Sequence, residues 1–221
     1  MEYPAPPGGL FGQDFDGIAD GAQEFDDGSL LESNDGNSRV EGGELILTED
    51  GIGGSQAAYK TPVMGPELAR GFTVVFDFAL DATGTPADGV SFNYGKITDT
   101  GTSSEEGYGS GLTVSFDTYD NGDENGLGTG IGVDIKIDGG LVPDGSIREG
   151  LETNDDGFLA NSFYVFDGVF RPVVISWTPS ADGGSVTVSL GDVILFENLP
   201  TPGLSPRQPI DLHGLRAQGG V

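Results

Sequence analysis

The sequence predicts an all-β protein, a sandwich or barrel of short antiparallel strands, and three observations carry that prediction. Glycine (39) and proline (13) punctuate the chain, with recurrent Asp-Gly, Asn-Gly and Gly-Gly pairs of the kind that close tight turns. Between them, apolar and polar residues alternate with period two over strand lengths. No helix-forming run of useful length interrupts this pattern; the one helical scrap is Pro66–Arg70. Many short strands separated by turn signals are the signature of a two-sheet or closed β architecture.

The strongest alternation lies between Gly71 and Leu80. Phe72, Val74, Phe76, Phe78 and Leu80 share one face there, with Thr73, Asp77 and Ala79 opposite. Leu112, Val114 and Phe116 repeat it. So do Ile131, Val133, Ile135 and Ile137, whose other face carries Asp134, Lys136 and Asp138. Further strands are expected at 44–48, 56–60, 89–94, 162–167, 172–177, 185–190, 193–196 and 210–215. Trp177, in Val173-Val174-Ile175-Ser176-Trp177, reads as a core residue rather than a ligand platform.

A length of 221 residues suits one large domain with a buried two-sheet core. No fixed-period repeat and no linker divides it. Residues 1–13 read as a flexible, Pro/Gly-rich lead-in and 14–221 as the single domain. The start lacks a basic-then-apolar signal segment, which suits a processed secreted chain or a domain cut from a longer one. No stretch approaches the ~20 apolar residues of a membrane span, so no membrane insertion is expected.

Thirty-six acidic residues against nine basic give a net charge of −27, a field that repels nucleic acid and anionic membrane surfaces and attracts cations. There is no cysteine, which excludes disulfides, thiolate metal sites and a cysteine nucleophile.

Two loops stand out. Ala87-Asp88-Gly89 opens the strand Val90-Ser91-Phe92-Asn93-Tyr94; alone it reads as an ordinary turn. The second follows Leu112–Phe116 and delivers Asp117, Asp120, Asn121, Asp123, Glu124 and Asn125 within nine residues. Calcium takes six to eight oxygen ligands, and this loop holds that material, though a solvated hairpin loop accounts for it equally well. An EF-hand does not fit, because the position of its closing glutamate falls on Gly132.

The ordered set resembles the legume-lectin (L-type, concanavalin A-like) family. Ala-Asp-Gly opens one strand, and Phe116-Asp117-Thr118-Tyr119-Asp120-Asn121 ends the next. Ile131-Gly132-Val133 and Val173–Trp177 follow. Gly214-Leu215-Arg216-Ala217-Gln218-Gly219-Gly220 is similar to that family's glycine-rich specificity loop. The likeness spans residues 40–221 and is nearest in kind to bacterial secreted or surface proteins. It implies a jelly-roll β-sandwich of two antiparallel sheets, an extracellular or cell-surface location, and a glycan or polysaccharide partner. It also implies calcium held by the side chains of Asp117 and Asn121, the carbonyl of Tyr119 and a further loop residue. Asp123 is the first choice for the last of these, with Glu124 and Asn125 open. Asp88 and Asn121 would hydrogen-bond sugar hydroxyls, Tyr119 would stack on the sugar, and Gly109 would donate an amide. Ala217 and Gln218 would bind sugar from the specificity loop, and specificity would lie in the length and shape of the loops 214–220 and 141–161. A cis Ala87–Asp88 bond goes with the intact site.

The departures from the family are informative. Its second metal, a transition ion, needs a glutamate and a histidine where this chain has Ser115 and Gly130, so no transition metal is expected. The family also places one more strand after the glycine-rich loop. Its absence here would leave an edge open, filled by a strand partner or homo-oligomer, or simply truncated.

Catalysis is not expected. The laminarinase-type glycosidases of this fold present Glu-x-Asp-x-x-Glu, and Ser115-Phe116-Asp117-Thr118-Tyr119-Asp120 lacks both glutamates. His213 is the sole histidine, and no Gly-x-Ser-x-Gly elbow accompanies it. Two functions follow: a calcium-dependent carbohydrate-binding module, or a structural and adhesive module of a surface layer or filament.

Overall fold

The computed structural model describes residues 12–49, 54–61, 71–80, 88–95, 105–119, 131–148, 164 and 167–204, together with the backbone of 211–219. These residues form β1 (Leu30–Ser33), β2 (Arg39–Glu41), β3 (Glu44–Ile46), β4 (Gln56–Lys60), β5 (Phe72–Phe78), β6 (Asp88–Gly95) and β7 (Leu112–Asp117). They continue with β8 (Gly132–Ile137), β9 (Gly140–Arg148), β10 (Arg171–Ser180), β11 (Gly183–Leu190), β12 (Val193–Pro200) and β13 (Asp211–Gly219). Every pairing between them is antiparallel. A seven-stranded sheet runs β1-β4-β13-β6-β7-β8-β9, a four-stranded sheet runs β12-β11-β10-β5, and β2-β3 is a separate hairpin. The predicted sandwich is what forms. Among the described residues no helix is long and apolar enough to cross a membrane.

Period-two alternation explains how the sheets meet. Val90, Phe92, Leu112, Val114, Phe116, Val133 and Ile135 of the larger sheet pack in one core with Val173, Ile175, Trp177, Val186 and Val188 of the smaller. Burying each such side chain is worth ~1.5–3 kcal/mol, which is why the register is strongly specified. Phe72 bridges the layers, with ring centroids 4.3 Å from Tyr94 and 5.9 Å from Trp177. Trp177 is a core residue, 1% exposed, with its indole N–H donated to Thr201 Oγ1 at 3.0 Å. A second cluster of Phe25, Leu31, Val40 and Tyr59 closes the end near β1 and β4, and Phe15 meets Phe25 and Tyr59 edge to face.

The structure corrects several expectations. Residues 214–219 are not a loop but most of β13, which pairs with β4 on one side and β6 on the other. The C-terminal strand is therefore interior to its sheet, and the open C-terminal edge expected to take a strand partner or homo-oligomer does not exist there. The start of the 141–161 stretch is likewise a strand, β9. Its Pro143-Asp144-Gly145 interruption, with Asp144 at φ 59° and a register shift between Asp134 and Lys136, hides it from a period-two reading. Of the lead-in only residues 12 and 13 are described; the Gln13 side chain donates to Asp27 Oδ2 and accepts the Phe15 N–H. The Pro66–Arg70 scrap, and the candidate strand 162–167 apart from Tyr164 and Asp167, lie outside the described residues.

Candidate functional site

Asp88 opens β6 and Asp117 closes β7. Because the strands are antiparallel neighbours, both acids arrive at the same end of the seven-stranded sheet. Gly89 lies opposite Asp117, and the Thr118 N–H donates to the Asp88 carbonyl at 2.8 Å. The glycine is required: at φ 150°, a Cβ on Gly89 would run into the Phe116 carbonyl. Thus the Asp-Gly pair makes no free turn here. It lets the β6 and β7 backbones approach closely at the sheet end where both acids lie. Asp88 is buried, while Tyr119 is 39% exposed beside Asp117 and donates its N–H to Asp117 Oδ1 at 3.0 Å.

The face of β6, β7 and β8 that points away from the core is polar and also buried. Ser91, Asn93, Thr113, Ser115, Asp134 and Lys136 are each at most 2% exposed. The segment 105–110 covers it. Ser115 Oγ donates to the Glu105 carbonyl, the Tyr108 N–H donates to Asn93 Oδ1, and Lys136 pairs with Glu106. Farther across, Arg148 of β9 binds both oxygens of Asp134, at 2.8 and 2.9 Å. In this surrounding Asp117 is pushed up to about 7. Burial is the main cause and the charges of Glu105 and Asp134 add to it, against the Tyr119 N–H and Arg148. Lys136 is pulled down to about 8, again mainly by burial.

The sequence-predicted residues divide into three groups. Asp88, Asp117 and Tyr119 meet at one sheet end. Asn121 and Asp123 lie outside the described residues, as do Ala87 and its peptide bond. Gly109 is at the opposite end of β7, where the Gly111 N–H donates to Asp138 Oδ1 and Gly139 approaches Gly109. That is about 17 Å of strand from Asp117, so the amide-donor expectation for Gly109 is withdrawn. Ala217 and Gln218 are strand residues, opposite Val90 and Gly89 respectively. Their loop role is withdrawn with the loop, although register still sets Gln218 one strand from Gly89 and two from Asp117.

Among the described residues, no group of three or more histidine, cysteine, aspartate or glutamate side chains is gathered for a metal. Asp117 supplies one hard carboxylate oxygen whose raised pKa a cation would relieve, which suits calcium. A transition ion does not fit. Ser115 brings no charge and its hydroxyl is committed to Glu105, while Asp134 is held by Arg148. Arg148, Asp134 and Glu105 are the contributors that sequence reasoning missed. The alternation of 131–137 showed Asp134 and Lys136 on one face, but nothing local announced that this face is covered. The Arg148 contact depends on a strand the pattern did not reveal.

No protein-family model and no curated protein sequence matches the chain. Solved structures do. Lectin I-B4 from Griffonia simplicifolia in a metal-free form is similar at 18% identity and a TM-score of 0.58, over 87% of this chain and 86% of that one. A lectin from Bauhinia forficata in complex with GalNAc gives 14%, 0.59, 90% and 88%. The VIP36 exoplasmic/lumenal domain in a Ca2+/Man2-bound form gives 14%, 0.55, 87% and 74%. At these identities the likeness shows the fold.

Proposed function

We propose that this chain is a calcium-dependent carbohydrate-binding module of an extracellular or cell-surface protein, and that it binds sugar without catalysis. The observation that carries the reading is that register brings Asp88 and Asp117 to one sheet end, with the exposed Tyr119 two residues beyond Asp117. One acid serves sugar hydroxyls and the other serves the ion that orders the loop. Asn121 and Asp123 complete the calcium ligands, with Asn121 turning its amide to the sugar, and an aromatic ring offers a flat apolar face to a pyranose. Solved proteins of the same fold carry GalNAc, and Man2 with Ca2+, which supports both halves of the reading.

The structural and adhesive alternative is not adopted, since one of the features that motivated it, an open C-terminal edge, is filled by β13, while the absent transition-metal ligands and the acidity suit either reading. A glycan array probed with calcium and with a chelator tests the proposal. Calcium-dependent signals that vanish in Asp88→Ala support it, and a blank array at saturating calcium rejects it.

A further inference from the structure

We propose that two copies of this chain dock face to face through the outward side of the four-stranded sheet, related by a two-fold axis that runs along the row Val75, Val174, Ser189 and Ile194. The inference goes beyond the sugar-binding reading and does not depend on it.

Register sets those four residues side by side across β5, β10, β11 and β12. Alternation turns them away from the core, since Val74, Val173, Ile175 and Val188 beside them point into it. Val75 and Ile194 stand at the two ends of the row. At 59% and 63% they are the most exposed large apolar side chains among the described residues. Single apolar residues on a surface need no explanation, but a row that crosses a whole sheet marks a place of contact.

The surroundings of the row select the occupant. With a net charge of −27, copies of the chain repel one another wherever acids face outward. On the outward positions of β5, β10 and β11, Asp77 is the sole charged residue; the others are threonine, serine, valine and proline. Depletion of charge is the compositional mark of an interface core, and a basic partner would find little to attract it here. The hydroxyls are already satisfied within the face. Thr73 Oγ1 and Ser176 Oγ bond each other at 3.0 Å, and Thr187 Oγ1 accepts the Asn198 N–H at 3.0 Å. Covering them with a second uncharged face therefore orphans no polar group.

A two-fold axis along the row stacks Val75, Val174 and Ile194 each on its own counterpart. It also lays Asp77 over the partner's Thr73, so the one acid among those outward positions meets a hydroxyl. Acids oppose each other only at the rim, where Asp192 and Glu197 flank the β12 edge. Four strands ~4.8 Å apart and about eight residues long give a footprint of about 500 Å² per copy. The total of about 1,000 Å² is at the lower bound for a specific interface, which makes the dimer a weak and reversible one. Asp88 and Asp117 belong to the other sheet, so both copies keep that sheet end open.

The test is sedimentation equilibrium of the wild type and Val75→Asp at low and high salt, with oxidative cross-linking of Val75→Cys. The wild type should dimerise with a micromolar Kd that tightens as salt screens the rim acids. Val75→Asp sets two acids against each other on the axis and should weaken the dimer at least about tenfold. The chain has no cysteine, so Val75→Cys supplies one thiol per copy and should link to its own counterpart on mild oxidation. Thr178→Cys is the control, exposed on the same face but about 13 Å along β10 from the row, and should not link. All three substitutions fall at exposed positions and leave the core intact. A wild type that stays monomeric at both salts, a dimer indifferent to Val75→Asp, or equal cross-linking of the two cysteine variants overturns the inference. Each of these outcomes leaves the glycan array unchanged, so the two readings fail separately.

Discussion

The carbonyl of Asp88 accepts the backbone N–H of Thr118 at 2.8 Å, one residue beyond the last pair of the β6–β7 ladder. That bond ties the start of one motif to the end of the other. It joins two short sequence signals, 29 residues apart, at one sheet end.

The Tyr119 ring and the Tyr119 carbonyl have separable tasks in this account. Tyr119→Ala should leave calcium affinity within about twofold, because the ligand is backbone. It should weaken sugar binding about tenfold or more, the loss of roughly 1.4 kcal/mol of ring contact. Calcium and sugar titrations of the same variant check this, and parallel loss of both would contradict it.

Acid pH should stabilise the calcium-free protein through Asp117. Its pKa stands at about 7 in the fold, raised mainly by burial, against about 4 in an unfolded chain. Between those values the folded state holds a proton that the unfolded state releases. Stability therefore falls as pH rises from about 4 to about 7 and is level above, by at most about 4 kcal/mol. Asp117→Asn removes this contribution, so the melting-temperature difference, variant minus wild type, should grow across that window. Calcium, which selects the ionised form, should abolish the trend.

The buried pair of Lys136 and Glu106 should show the asymmetry of desolvated charge. Glu106→Gln leaves Lys136 buried without its partner and should cost about 3 kcal/mol in denaturant unfolding. The double variant Lys136→Met/Glu106→Gln removes the buried charge and should recover most of that loss. Equal destabilisation by single and double variants would contradict the assignment.

Trp177, the chain's sole tryptophan, reports on the core. Thr201→Val deletes the acceptor of its indole N–H and should cost about 1–2 kcal/mol while blue-shifting its emission. An unchanged spectrum would mean that the indole is not held there.

The strands with clean alternation, such as 72–78 and 112–117, were legible because burial of one face is written directly in period two. The same rule underlies the Trp177 assignment. It could not show that the opposite face of β6–β8 is buried too, since a polar face reads alike under solvent or under a covering segment. β9 was hidden by Pro143 and Gly145, and with it Arg148. The glycine-rich 214–219 reads locally as a loop, and only its place between β4 and β6, partners more than 100 residues away, makes it a strand. Asp88 and Asp117 were found by resemblance; their adjacency is a fact of register that no local pattern contains.

On the proposed function, Asp117 organises a calcium site on which sugar binding depends. Its most direct test is calorimetric titration of calcium into chelator-stripped protein, repeated on Asp117→Ala. Saturable binding of one ion per chain is expected in the wild type and none in the variant. No calcium binding, or binding that survives the loss of Asp117, would contradict it.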